Sequence, residues 1–159
     1  GIRTRTGSKF RLTWDDVTYA PGELSAVARD ASGKELARET VRTASAPAEL
    51  ALSADRTTLS ADGEDLAFVT VSVLDRNGIL QPHADHTIRF EVSGAGSFAA
   101  AGNGNSASTE DFYGGYIKAF HGQCVCIVRA GNADGIIRLT ASADGLAPAT
   151  IELTVSGKA

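Results

Sequence analysis

The stretch Ile137-Arg138-Leu139-Thr140-Ala141-Ser142 alternates apolar and polar side chains without interruption. Successive side chains of a β-strand point to opposite faces of the sheet, so this alternation predicts a strand with one buried face and one solvent-facing face. The same period of two recurs at residues 68–73, 87–92 and 150–155. No window of about a dozen residues carries an apolar stripe at helical spacing. The sequence therefore predicts an all-β protein.

Turn-forming residues separate these segments. In Asp75-Arg76-Asn77-Gly78, the Asn-Gly pair tolerates the positive φ angles of a tight hairpin turn between two strand-like runs. Similar signals stand at Asp30–Gly33, Asp62-Gly63, Asp134-Gly135 and Asp144-Gly145. Strands are predicted near residues 48–54, 57–61, 66–75, 86–92, 96–101, 123–130, 135–143 and 149–156. Short strands at this spacing are typical of an immunoglobulin-like antiparallel β-sandwich of about 100 residues.

The chain before Ala46-Pro47 carries predicted strands of its own. The first has an apolar face of Phe10, Leu12 and Trp14, and the second has an apolar face of Leu24, Ala26 and Ala28. The third covers residues 35–42. Trp14 is accordingly expected in a core or over a sheet edge. Three strands are too few to close a sandwich. With a small, proline-punctuated joint at residues 43–48, we expect a partial immunoglobulin-like unit at residues 1–45 and a complete sandwich domain at residues 46–159.

Composition excludes several classes of protein. Of the 159 residues, 43% are hydrophobic and 21% charged, which is unlike a disordered chain. A formal charge of −4 argues against a nucleic-acid partner, which calls for a concentrated basic face. No apolar run approaches the roughly 18 residues of a membrane span. The polar start at Gly1 is not a signal peptide, and because the sequence contains no Met we expect it to be a piece of a longer protein.

Cysteine and histidine offer no site. Cys124 and Cys126 lie two apart, so on a strand their side chains point the same way, a poor geometry for a disulfide. They are interpreted as small core residues. The run His83-Ala84-Asp85-His86, with His121, supplies too few convergent donors for a metal. We expect no metal and no cofactor.

Several separated motifs resemble a known family. Residues 11–24, Ala26-Val27-Ala28 and Val41–Ala44 are similar to the end of the immunoglobulin-like domain that follows the catalytic barrel in bacterial family 2 glycoside hydrolases, mostly β-galactosidases. The remainder of this chain resembles the C-terminal domain of the same enzymes. The motifs that carry this resemblance are Leu52–Leu59, Ala61-Asp62-Gly63, Phe68–Val71, Phe90–Gly94, Gly102–Asn105 and Lys118–Gly122. Residues 46–159 also resemble invasin-type surface repeats. The strands that open the first domain of the family are missing here.

The resemblance implies a parent enzyme that hydrolyses β-galactosides in carbohydrate metabolism with two glutamates on a barrel. No barrel is present, so no catalytic residue is carried over. The neighbouring acids Asp15-Asp16 and Glu110-Asp111 point to opposite sides of an extended backbone, and we interpret both pairs as solvated loop residues.

The region from Gly102 to Gln123 is predicted to be a long loop. Phe112, Tyr113 and Tyr116 place three aromatics within a glycine-rich stretch, and aromatic faces stack on sugar rings. Our hypothesis is that they form a carbohydrate platform; the alternative is that they anchor the loop on the sandwich or on a neighbouring domain.

The sequence thus predicts a non-catalytic accessory fragment of a β-galactosidase-like hydrolase, periplasmic or extracellular, that packs against other domains of the parent. Unpaired strands also predict either self-association through residues 1–45 or mobility of that segment. The alternatives are an invasin-type adhesin repeat and a carbohydrate-binding module.

Overall fold

The computed structural model describes residues 1–4 and 11–157, which contain β-strands and no helix. The chain divides into two compact units, residues 1–43 and residues 44–159. The smaller unit holds β1 (Glu23–Arg29) and β2 (Glu35–Arg42). The larger unit holds β3 (Pro47–Ala54), β4 (Thr58–Ser60), β5 (Leu66–Asp75), β6 (Thr87–Gly94), β7 (Gly96–Gly102), β8 (Tyr116–Lys118), β9 (Gln123–Ala130), β10 (Gly135–Ser142) and β11 (Ala149–Ser156).

Residues 44–159 form the sandwich that the sequence predicts. One sheet has five strands in the order β4-β11-β10-β6-β8, and the other has four in the order β3-β5-β9-β7. Every pairing is antiparallel except that of β11 with the short edge strand β4, which is parallel. The all-β prediction is therefore confirmed in the described residues, with one parallel pair that strand periodicity does not reveal.

The core follows the alternation seen in the sequence. Val69, Val71 and Val73 of β5 are fully buried or nearly so, and Ile137 and Leu139 of β10 are buried in the same cluster as Val69. Two clusters of buried side chains fill the space between the sheets, and Leu52, Phe90 and Phe98 pack against both. The rings of Phe90 and Phe98 stack at a centroid distance of 6.1 Å. These contacts make one continuous core inside this unit.

Both cysteines belong to this core, as predicted. Cys124 and Cys126 are buried free thiols on β9. Burial raises the pKa of each thiol to about 12, because a thiolate would lose its hydration there. The two thiols therefore stay protonated and unreactive.

The turn at Asp75–Gly78 forms where the sequence places it, but its role differs from that of a simple hairpin. Leu74 and Leu80 make a single antiparallel bridge, after which the chain crosses to β6 in the other sheet. Asp75 is the one fully buried charged side chain among the described residues. It accepts hydrogen bonds from the backbone N–H groups of Asn77 and Ile79 at 2.8 and 3.0 Å, which stabilise the turn.

A second crossing joins the sheets at Ala95. β6 of the five-stranded sheet ends at Gly94, and β7 of the four-stranded sheet begins at Gly96. Ala95 donates its N–H to Ile136 O and accepts from Gly131 N–H, so one residue is bonded to both sides. Gly94 has φ 90° and lies directly against the carbonyl of Ile136, leaving no space for a Cβ.

Residues 1–43 contain a β-hairpin. β1 and β2 pair antiparallel from Glu23↔Arg42 to Arg29↔Glu35. Its turn is the predicted one, with Asp30 Oδ1 accepting from the N–H groups of Ser32 and Lys34 and with Gly33 at φ 87°.

The first predicted strand is not borne out. Residues 11–14 carry no strand, and Phe10 lies outside the described residues. Trp14 is exposed over 39% of its surface, and its indole N–H donates to Gly1 O at 3.1 Å, so the core interpretation of Trp14 is wrong. Its alternation with Leu12 reflects no pairing, because a polar–apolar period forms a strand only where a partner strand is available.

None of the described residues belongs to a helix long and apolar enough to cross a membrane.

Candidate functional site

The predicted loop from Gly102 to Gln123 contains a strand that sequence reasoning missed. Residues Tyr116–Lys118 form β8 and pair with β6 at the edge of the five-stranded sheet. Three residues between Gly115 and Ala119 are too few to show a period, so no local pattern predicts this strand.

The segment that leads into β8 and includes its first residue, residues 110–116, is here called the aromatic loop. Its backbone bonds to both sheets: Ala101 of β7 donates its N–H to Phe112 O at 2.8 Å, and Phe90 of β6 donates to Gly115 O at 2.9 Å. Because β7 and β8 are edge strands of different sheets, the aromatic loop closes one side of the sandwich.

The carboxylate of Glu110 organises this loop. It accepts hydrogen bonds from Asn103 Nδ2 at 3.1 Å, Ser108 Oγ at 3.0 Å and Lys118 N–H at 3.1 Å. Asn103 Nδ2 also donates to Lys118 O at 3.0 Å. Glu110 is half-buried, so its interpretation as a solvated residue is corrected: it holds the loop against β8. The sequence carries no local signal that these side chains meet.

Asp111 behaves as the sequence suggests. Its side chain is exposed, and Oδ1 accepts from Tyr113 N–H at 2.9 Å, an Asx turn within the loop. The neighbouring carboxylates of Glu110 and Asp111 thus make separate local bonds.

The three aromatic side chains of the loop face solvent. Phe112 is 48% exposed, Tyr113 78% and Tyr116 51%. Backbone hydrogen bonds and the Glu110 carboxylate attach the loop to the sandwich. Residues 102–116 contain no Leu, Ile, Val or Met. This segment therefore carries aromatic rings and no large aliphatic side chain.

Charged groups beside the aromatic loop are largely balanced. Tyr116 lies opposite Arg89 in the strand register, and Arg89 Nη1 pairs with Asp144 Oδ1 at 3.1 Å. Lys118, also on β8, and Asp111 carry opposite charges. The surroundings therefore present no excess of positive charge that would select an anionic ligand.

The histidines make separate contacts. His121 Nδ1 lies 3.3 Å from Pro82 O, and its ring meets Phe120 edge-on at 4.2 Å. In the part of the chain that the structure describes, no group of three or more His, Cys, Asp or Glu side chains is arranged to hold a metal ion.

Four carboxyl groups in the described part of the chain have a pKa below the usual range. The largest cause in each case is a hydrogen bond donated to the carboxylate: Ser45 N–H to Asp75, Phe68 N–H to Asp55, the Ser32 hydroxyl to Asp30 and the Arg38 guanidinium to Glu35. A general acid of glycoside hydrolysis needs the opposite shift, since it must stay protonated near neutral pH. The environments of these four groups suit structural roles.

Comparison with protein-family models gives two matches. The model for "Glycoside hydrolase family 2 C-terminal domain 5" matches residues 50–152, and a "Domain of unknown function (DUF4982)" matches residues 1–37.

Individual relatives agree with the first of these matches. The chain is 39% identical over 154 residues to "Beta-galactosidase BoGH2A" of Bacteroides ovatus, a match that covers 97% of this chain and 18% of that protein. Among solved structures, a glycosyl hydrolase family 2 member from Bacteroides cellulosilyticus superposes with a TM-score of 0.83 and 34% identity over 88% of this chain and 18% of its own. A β-glycosidase from Bacteroides vulgatus gives a TM-score of 0.80 and 26% identity over 87% of this chain and 18% of its own. The chain thus spans about a fifth of the length of these relatives.

Proposed function

The chain belongs to the family of glycoside hydrolase family 2 C-terminal domains, and on that premise we propose that it is a non-catalytic accessory part of a β-galactosidase-like hydrolase in carbohydrate metabolism. Its role is to pack against other domains of the parent enzyme. The β-galactosidase of Bacteroides ovatus, which aligns with almost the whole chain, supports the choice of parent activity.

The observation that carries the packing role is the apolar surface of the β1–β2 hairpin. Leu24 and Val41 are cross-strand partners, and they are exposed over 62% and 65% of their surfaces. Leu36 is exposed over 64%. An isolated two-stranded hairpin is marginally stable in water, and its outer edges offer unpaired N–H and C=O groups. A surface of this kind is suited to being covered by further strands of the parent protein.

The non-catalytic role is supported by the chemistry of the acids. A retaining glycosidase needs two carboxyl groups about 5–5.5 Å apart, one of them with a raised pKa. Here Glu110 is committed to three hydrogen bonds, and Asp75 is buried in a turn with a lowered pKa. Both acids are committed to holding local structure.

Two measurements test this function. The 159-residue chain is expected not to hydrolyse nitrophenyl β-galactoside; turnover by this chain would contradict the accessory role. The coding region upstream of Gly1 is expected to encode a sugar-binding domain and a barrel. Further immunoglobulin-like repeats in that position would instead support the invasin-type adhesin.

The packing role is tested in the full-length product of the gene. Replacing Leu24 and Val41 together by Ser is expected to lower the Tm of the full-length protein. It should also loosen the attachment of this 159-residue part, so that limited proteolysis releases it faster. Ile136→Ser, at an exposed apolar position on β10, is the matched control and should change neither. Equal behaviour of both variants would show that the hairpin surface is not a packing surface.

The proposal extends to location. We propose that the parent is located in the periplasm or the extracellular medium. Immunodetection in cell fractions tests this, and a purely cytoplasmic signal would contradict it.

A further inference from the structure

We propose that Phe112, Tyr113 and Tyr116 form a subsite for a neutral polysaccharide, through which the accessory unit holds glycan for the parent hydrolase; this inference rests on the proposed function. The first argument is exposure. Three rings within five residues leave about half of their surface or more in water, since Phe112 is 48% exposed, Tyr113 78% and Tyr116 51%. Aromatic side chains in such positions are available to stack on the apolar C–H face of a sugar ring.

The second argument is preorganisation. The aromatic loop is bonded to β7 through Phe112 O, to β6 through Gly115 O, and to β8 through the Glu110 carboxylate. Tyr113 N–H is held by Asp111 at 2.9 Å. A ligand that stacks on these rings therefore does not have to order the backbone beneath them, which lowers the entropic cost of binding.

The third argument concerns the class of ligand. A stable protein interface buries about 800 Å² on each partner around an apolar core in which aromatic residues are common. Residues 102–116 offer three exposed aromatic rings but no Leu, Ile, Val or Met to extend them into such a core. Stacking on the C–H face of a sugar ring needs only the rings themselves.

The balance of charge selects a neutral glycan. Arg89 is paired with Asp144, and the Glu110 carboxylate accepts hydrogen bonds from three donors on either side of the loop. The opposite charges of Lys118 and Asp111 leave no net attraction for uronate or phosphate groups.

Affinity gel electrophoresis of the 159-residue chain tests the subsite, with soluble β-1,4-galactan as probe and polygalacturonate as the acidic comparison. We expect galactan to retard the wild-type chain and polygalacturonate not to. The double variant Tyr113→Ala, Tyr116→Ala should raise the apparent Kd at least about tenfold, the effect of losing stacking on two rings. Tyr113→Phe, which keeps the ring, should stay close to wild type.

Tyr19→Ala is the matched control, since Tyr19 is the remaining tyrosine of the chain and is 74% exposed. It should bind like wild type. Circular dichroism melts establish that each variant is folded, and Tyr113→Ala alone serves if a change in β8 prevents folding of the double variant.

Three results would overturn the subsite: no retardation of wild type by galactan, equal retardation of the double variant, or retardation by polygalacturonate alone. A lower Tm of the full-length enzyme on replacing Tyr113 and Tyr116, without glycan binding, would overturn it in favour of domain packing. None of these affects the accessory function itself, which fails only on the hydrolysis assay or on the upstream coding region.

Discussion

Asp75 is a single carboxylate on which three backbone N–H groups and one hydroxyl converge. Ser45 contributes its N–H at 2.8 Å and its Oγ at 3.0 Å, and the N–H groups of Asn77 and Ile79 complete the set. Gln81 Nε2 donates to Ser45 O at 2.8 Å. The residues just before β3 are thereby attached to the turn that follows β5, and these bonds hold the Asp75 pKa well below its usual range.

The lowered pKa of Asp75 makes its contribution to stability depend on pH. In the unfolded chain an aspartate has a pKa of about 3.9. The contribution is therefore complete above that pH and is lost as pH falls toward the lower folded pKa. We expect Asp75→Asn to lower the Tm by about 5 °C at pH 7 and by less at pH 3, measured by circular dichroism.

The control for Asp75 is Asp144→Asn, which makes the same charge change in a side chain that is 93% exposed. A surface ion pair contributes little, so its Tm should stay near that of wild type at both pH values. A Tm deficit of Asp75→Asn that is the same at pH 7 and pH 3 would contradict the ionised role of Asp75.

Gly94 is a residue whose identity is required by the crossing between the sheets at Ala95. Its φ of 90° disfavours any side chain, and a Cβ would meet the carbonyl of Ile136. Gly145 has φ 78° with nothing within 4 Å of its Cβ position. We expect Gly94→Ala to lose about 3 kcal/mol of unfolding free energy in urea and Gly145→Ala about 1 kcal/mol. Equal losses would show that only φ matters at Gly94.

At the scale of the element, β10 shows how far alternation alone predicts structure. Ile137 and Leu139 are fully buried, whereas Ile136 is 46% exposed. Sequence reasoning assigned these faces correctly because side-chain direction in a strand alternates whatever the strand pairs with. β8 escaped it because a three-residue strand has too little alternation to detect.

The two faces of β10 make a matched pair of substitutions. Ile137→Ala should lower the unfolding free energy by about 2–5 kcal/mol, because it leaves a cavity between the sheets. Ile136→Ala makes the same chemical change on the exposed face and should cost less than about 1 kcal/mol. Urea denaturation compares them, and a larger loss at Ile136 would mean that the face of β10 is wrongly assigned.

At the scale of the whole molecule, both core clusters consist of residues from 44–159 alone. We therefore expect the truncated chain 44–159 to fold by itself, with a Tm within about 5 °C of the 159-residue chain. Residues 1–43 alone should remain unfolded by circular dichroism, because a two-stranded hairpin is marginal in isolation. Failure of 44–159 to fold would show that its core is not self-sufficient.

Separated from a parent enzyme, the hairpin surface is expected to pair with a second copy. Light scattering should give a mass above that of the monomer for the 159-residue chain, decreasing on dilution, while the truncated chain 44–159 stays monomeric. Leu24→Ser with Val41→Ser should restore the monomer, and Ile136→Ser should not. A strictly monomeric wild-type chain with full amide protection in residues 23–42 would contradict this prediction.

The sequence by itself determined the all-β class, the strands with clear alternation, the turns at Asp30–Gly33 and Asp75–Gly78, and the burial of Cys124 and Cys126. These features follow from backbone geometry within a few residues. Only the tertiary structure decided the order of strands in each sheet, the parallel β4–β11 pair and the existence of β8. It also decided that Asp75 is buried and that Glu110 holds the aromatic loop. The reason is physical: a strand edge can pair with any other strand edge, and a carboxylate with any donor, so the partner is selected only when the whole core closes.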